Sequence, residues 1–115
     1  MSEYSGIEGM LRFFVELGDF SYVDRIGNAL TVEPVEMALR DALRVLRAYW
    51  NSAEEIEEGG KKYRFIRVMD RRTREERTYR LPKIPDSEEI ERFMSAVRED
   101  ISEARRVAIN SLSYK

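Results

Sequence analysis

The chain has 115 residues, with 22 acidic and 20 basic side chains for a net charge of minus 2, and it contains neither cysteine nor histidine. That inventory excludes a disulfide, a thiolate nucleophile, a Ser-His or Cys-His pair and an imidazole metal ligand, leaving an oxygen-ligated metal or a carboxylate pair as the common enzymatic devices still open. At 43% hydrophobic residues the chain can build the core of one domain, while 37% charged residues, no glutamine and only Asn28, Asn51 and Asn110 as asparagines suit the ion-pair-rich surface of a thermophilic host.

The opening MSEYSGIEGML carries an acidic residue where an export signal carries a basic one, and the apolar run at Phe13 to Val15 is too short to span a membrane. A soluble, cytoplasmic domain with no membrane partner is expected. Ile7, Met10, Leu11, Phe14 and Leu17 then recur at the spacing of one helix face, which predicts a first helix over about residues 5–17 with Gly18 as its stop. Asp19 or Ser21 can open a short second helix whose apolar side is Phe20, Tyr22, Val23, Ile26 and Leu30.

Thr31 or Glu33 before Pro34 reads as a third start, since proline in a first turn forfeits no hydrogen bond. Val35, Leu39, Ala42, Leu43, Leu46, Tyr49 and Trp50 carry that helix, read on to about Glu58 and closed by Gly59-Gly60. From Lys61 to Leu81 the period shortens: Tyr63, Phe65 and Met69 share one parity, Tyr79 and Leu81 another strand, with a turn near Asp70 to Arg74. A two-stranded hairpin is expected, its aromatic face packed on the helices because a lone hairpin is marginal in water. Pro82 and Pro85 bracket a linker, Asp86 or Ser87 with Glu89 signals a cap, and Ile90, Phe93, Met94, Val97, Ile101, Ala104, Ala108 and Leu112 predict one final helix to about residue 112. The fold class is therefore mainly α, a helical bundle with a small β-hairpin inserted between its two longest helices, each about 25 residues and about 37 Å long.

Charge is uneven along the chain. Lys61, Lys62, Arg64, Arg67, Arg71, Arg72, Arg74, Arg77 and Arg80 face only Asp70, Glu75 and Glu76 in the same segment, a local charge of plus 6 against minus 8 elsewhere. A basic finger on an acidic body directs a positive field at a polyanion, and arginine forks onto phosphate and stacks on bases as lysine does not. Interleaved Tyr63, Phe65 and Tyr79 suit a single-stranded binding surface, although their expected burial on the helices competes with stacking on bases. The alternative for the cations is a solvated surface or a dock for an acidic partner.

Arg40, Arg44 and Arg47 align along the third helix as a second rail for phosphates, or as ion pairs with Glu36 and Asp41. Arg25 and Asn28 can face a protein partner, with Gly27 allowing close helix approach; the plainer alternative pairs Arg25 with an exposed carboxylate. Glu99 with Glu103 and Glu54 with Glu58 have helical spacing for oxygen ligands but lack a third ligand in a fixed motif, and no Gly-rich phosphate loop is present. Neither a cofactor nor a catalytic residue is expected.

The stretches GDFSYVDRIGNAL at Gly18 to Leu30 and VEMALRDALRVL at Val35 to Leu46, with the chain length, helical order and β insertion before the last helix, resemble the small subunit of the archaeal type I-A CRISPR surveillance complex, an assembly of the Cascade type. The resemblance implies a non-enzymatic subunit present in several copies, partnered by other CRISPR-associated subunits, guide RNA and the backbone of target DNA. In such complexes base pairing reads sequence while protein holds nucleic-acid backbone. Its natural carriers here are the arginines of the third helix and the hairpin. A stand-alone single-stranded DNA-binding protein and a protein adaptor remain the alternatives.

Overall fold

Apolar side chains at helical spacing close five helices around a shared core, whose fully buried centre includes Phe14, Phe93, Ile7, Leu11, Ile26 and Val107. The computed structural model describes residues 3–70 and 72–113. In chain order these form α1 (Ser5–Glu16), α2 (Ser21–Gly27), α3 (Val32–Ser52), β1 (Glu54–Glu58), β2 (Lys61–Met69), β3 (Glu76–Arg80), α4 (Ser87–Glu99) and α5 (Ser102–Leu112). Among the described residues no helix is long and apolar enough to cross a membrane.

The first two helices follow the sequence expectation. Gly18 takes a left-handed φ of 87° just past α1, a conformation glycine adopts without a Cβ penalty. Gly27 allows close helix approach: a Cβ there would lie 3.1 Å from the Cβ of Ala108 on α5. Two residues of this stretch depart from expectation. Phe20 precedes α2 as its N-cap and is 48% exposed. Leu30, assigned to the apolar side of the second helix, lies beyond its end and is 84% exposed.

The third helix stops at Ser52, six residues before the expected end at Glu58, and the segment EEIEE becomes a strand. Helical and strand readings compete here, and cross-strand charge decides between them. Glu55, Glu57 and Glu58 sit directly opposite Arg64, Lys62 and Lys61, arrangements that stabilise an antiparallel pair. Gly59 and Gly60, with φ of 58° and 79°, supply the two-residue left-handed turn such a hairpin needs and are not a helix stop. The insertion is therefore a three-stranded antiparallel sheet, order β1-β2-β3, rather than a two-stranded hairpin.

The final helix is broken as well. Asp100 leaves helical geometry (φ −152°, ψ 109°) and its carboxylate accepts from the Ser102 N–H at 3.0 Å, a local bond that competes with continuing the helix. The two long helices of about 25 residues are thus replaced by one of 21, α3, and by α4 and α5 of 13 and 11 residues. The Glu54/Glu58 and Glu99/Glu103 pairs lose their helical spacing: the first lies on a strand and the second straddles the break.

Two contacts fix the ends of the architecture. Asp86 caps α4 by accepting from the Glu89 N–H at 2.8 Å, as its spacing predicts. The Glu89 carboxylate does not return to that cap. It is buried against the start of α1, accepting from the N–H groups of Ile7 at 2.6 Å and Gly6 at 3.3 Å, where free amide donors and the helix dipole favour an anion. The sheet is held to the helices by buried Ile66 and Leu81 and by Trp50, whose Nε1–H donates to the Pro82 carbonyl at 2.9 Å.

Candidate nucleic-acid interface

Side chains alternate between the two faces of a strand, and residues directly opposite on neighbouring strands share a face. Ile66 pairs with Tyr79 and Glu55 with Arg64, so one face carries Arg64, Ile66 and Tyr79. This is the face against the helices: Ile66 is buried, Tyr79 packs on the core, and Arg64 lies over the Trp50 ring at 5.5 Å while donating to its carbonyl at 3.2 Å.

Ile56 opposite Tyr63 and Phe65 opposite Arg80 occupy the other face, with Arg67 and Met69. The expectation that Tyr63 and Phe65 pack on the helices together with Tyr79 is therefore overturned for the first two. Parity gave two faces, and Ile66 with Leu81 decides which is inner. Tyr63 and Phe65 are only half-buried, and Ile56 and Met69 are exposed. The Arg80 Cζ lies 3.9 Å from the centroid of the Tyr63 ring, a diagonal cross-strand contact of cation–π type. Burial of these two rings on the helices no longer competes with stacking on a base.

The cations divide by what they touch. Arg64 is committed to Trp50 and is withdrawn from any ligand. Lys62 and Arg67 reach across to Glu55 at 3.7 Å and Glu54 at 3.3 Å. Lys61 stands opposite Glu58 next to the glycine turn. Arg72, Arg74 and Arg77 are exposed and make no ion pair among the described residues. Arg71 lies outside the described residues. The β2–β3 turn is organised by Asp70, whose carboxylate accepts from the Arg72 N–H at 2.8 Å and whose carbonyl accepts from the Arg74 N–H at 2.7 Å, with Arg74 left-handed at φ 60°.

The acidic strand β1 changes the charge account. With Glu54, Glu55, Glu57 and Glu58 included, residues 54–80 hold nine basic and seven acidic side chains, so the net is plus 2 and not plus 6. The field is polarised across the sheet, negative along the β1 edge and positive along β2, β3 and their turn.

The arginine stripe of α3 is largely self-paired. Arg40 meets Glu36 at 3.2 Å, Arg44 meets Asp41 at 3.4 Å, and Arg47, one turn before Trp50, is exposed with no ion pair among the described residues. Such exposed pairs contribute about 0–1 kcal/mol and yield to a phosphate at little cost. Arg25 binds Asp41 at 3.0 Å, the plainer of its two readings. Asn28 and Arg25 nevertheless border an open groove between α2 and α3, whose apolar members Leu30 and Met37 are 84% and 51% exposed. Sequence reasoning assigned Leu30 to the apolar side of the second helix and gave Met37, which lies off the Val35–Leu39 face of α3, no role.

The family model described as CRISPR-associated protein (Cas_Csa5) matches residues 10–114. No curated protein matches the chain. The family match agrees with the resemblance to the small subunit of a type I-A CRISPR complex.

Proposed function

The chain belongs to the CRISPR-associated Cas_Csa5 family, and we propose that it serves as a non-catalytic subunit of a type I-A CRISPR guide-RNA complex, holding single-stranded nucleic acid on the outer face of its sheet. The observation that carries the reading is Arg80 over Tyr63, beside Phe65, on the sheet face opposite buried Ile66 and adjoining the cationic β2–β3 turn. Rings stack on bases of any sequence, while Arg80 on that face and the turn cations Arg72 and Arg74 neutralise backbone phosphates. Guide pairing, not the protein, supplies sequence discrimination. The absence of histidine and cysteine supports a subunit with no reaction of its own.

Neighbouring subunits, including further copies of this chain, meet the α2–α3 corner, where exposed Leu30 and Met37 accompany Arg25 and Asn28. Arg47 and the weakly paired Arg40 and Arg44 form an auxiliary rail for backbone contacts.

Isolation of the tagged chain from its host at gentle salt tests the assembly. Mass spectrometry is expected to find other CRISPR-associated subunits, and sequencing is expected to find guide RNA. A lone protein, or one carrying only bulk DNA, contradicts membership of the complex and favours an independent single-strand binder.

A further inference from the structure

A groove of about 350 Å³ runs between α1 and the segment joining β3 to α4. Its lining brings together Arg12 of α1 with Arg80 and Lys83, against the single carboxylate of Glu16. None of these three cations forms an ion pair among the described residues. Arg12 donates through Nη2 to the Asn110 carbonyl at 3.3 Å, but its Nε is buried with no hydrogen-bond partner. The side-chain amide of Asn110, whose main-chain carbonyl is the acceptor for Arg12, donates to the buried Glu8 carboxylate at 3.2 Å.

Gly9 completes the lining from the middle of α1. A glycine inside a helix weakens it, and at Gly9 no packing demand explains one: an added Cβ would meet nothing within 4 Å. Its effect is to leave α1 low and open where the groove passes. A desolvated guanidinium N–H lacking an acceptor, the Lys83 ammonium with no ion pair among the described residues, an Arg80 guanidinium shared with the Tyr63 ring and an open backbone match a phosphate, whose oxygens accept several charge-assisted hydrogen bonds at once.

We propose that this groove is a phosphate subsite which receives a backbone phosphate of the strand whose bases stack on Tyr63 and Phe65. The inference rests on the reading of the sheet as a nucleic-acid face, because Arg80 is common to both. Arg12 and Lys83 thereby join the contacts, two residues outside the basic finger. The strand crosses from the β2–β3 turn, over the outer face, to α1.

The test uses the intact chain, a labelled single-stranded 20-nucleotide DNA, and inorganic phosphate. Gly9→Glu sets a carboxylate in the groove with no Cβ clash and with better helix propensity than glycine, so its melting temperature should not fall. Lys83→Gln removes one exposed cation. The expected results are weaker DNA binding by Gly9→Glu, a salt slope shallower by about 0.7 for Lys83→Gln, and a shift of the Arg12 Nε–H resonance when the DNA is added to wild type.

Binding by both variants equal to wild type, or an Arg12 resonance indifferent to DNA, overturns the subsite. A shift caused by inorganic phosphate and not by DNA makes the groove a free-anion site and overturns its assignment to the strand. Loss of binding in Tyr63→Ala/Phe65→Ala with both groove variants unaffected removes the groove alone. The reverse pattern keeps the groove as a backbone contact and removes the stacking face.

Discussion

The Arg80 guanidinium lies 3.9 Å over the ring of Tyr63 on the sheet face turned away from the helices. A cation held against an aromatic ring beside a second ring, Phe65, places charge and stacking surface within one nucleotide's reach. The contact also restrains Arg80 before a ligand arrives, which lowers the entropy lost on binding.

Replacing Glu89 by alanine removes the acceptor for the Gly6 and Ile7 amides and leaves a buried helix start unsatisfied. The expected cost is about 1–3 kcal/mol, seen as a fall in melting temperature of about 4–15 °C. Gly6→Ala attacks the same contact from the other side, since its Cβ would stand 2.9 Å from Glu89 Oε1. The two changes should be strongly non-additive in a double-mutant cycle; simple additivity would show that the carboxylate does not hold α1.

Arg74 sits at φ 60° in the β2–β3 turn, where a Cβ is penalised. Arg74→Gly is expected to stabilise the fold by up to about 1 kcal/mol while weakening nucleic-acid binding through the lost charge. Thermal melting and a binding titration on the same sample check both signs. A variant both more stable and unchanged in binding would remove Arg74 from the interface.

Asp100, at the break between α4 and α5, is held below the ordinary aspartate value of 3.8 by its hydrogen bonds from the Ser102 hydroxyl and backbone N–H. A depressed folded-state value means that the contribution is fully present above the unfolded value and is lost as pH falls through the folded one. The protection factor of the Ser102 amide, exchange taken relative to the intrinsic rate at each pH, should therefore hold at neutral pH and fall only as pH drops through the lowered Asp100 value. Asp100→Asn should remove that pH dependence, and persistence of the acid transition in the variant would assign it elsewhere.

Much of this architecture is legible in the sequence where one local signal dominates, as in the apolar face of α1 or the Asp86 cap. The errors fall where two local signals compete. Gly59-Gly60 both ends helices and makes tight hairpin turns, and only the pairing of EEIEE with the cations of β2 chooses between them. The apolar periodicity of the last helix runs on across Asp100, whose side chain breaks the backbone through a bond two residues away. Glu89 reads as a member of a capping box, but its carboxylate serves a helix start 82 and 83 residues earlier, which no local pattern reports.

The candidate site was readable in part. The clustered arginines of the turn stand in the sequence, yet their meaning depends on which face of β2 is inner, a tertiary fact fixed by Ile66 and Leu81. The same fact withdraws Arg64 and frees Tyr63 and Phe65. Arg12 and Lys83 carry no sequence signal because they come from distant segments meeting at one groove.

Binding of a labelled single-stranded 20-nucleotide DNA across a salt series, compared for wild type, Tyr63→Ala/Phe65→Ala and Arg72→Glu/Arg74→Glu, tests the outer sheet face as a nucleic-acid surface. If about four cations meet phosphates, the wild-type slope should be about minus 3; the aromatic variant should lose affinity at nearly unchanged slope, and the arginine variant should lose both affinity and slope. Wild-type binding with a slope near zero, or full binding by both folded variants, would contradict the assignment of nucleic acid to this face.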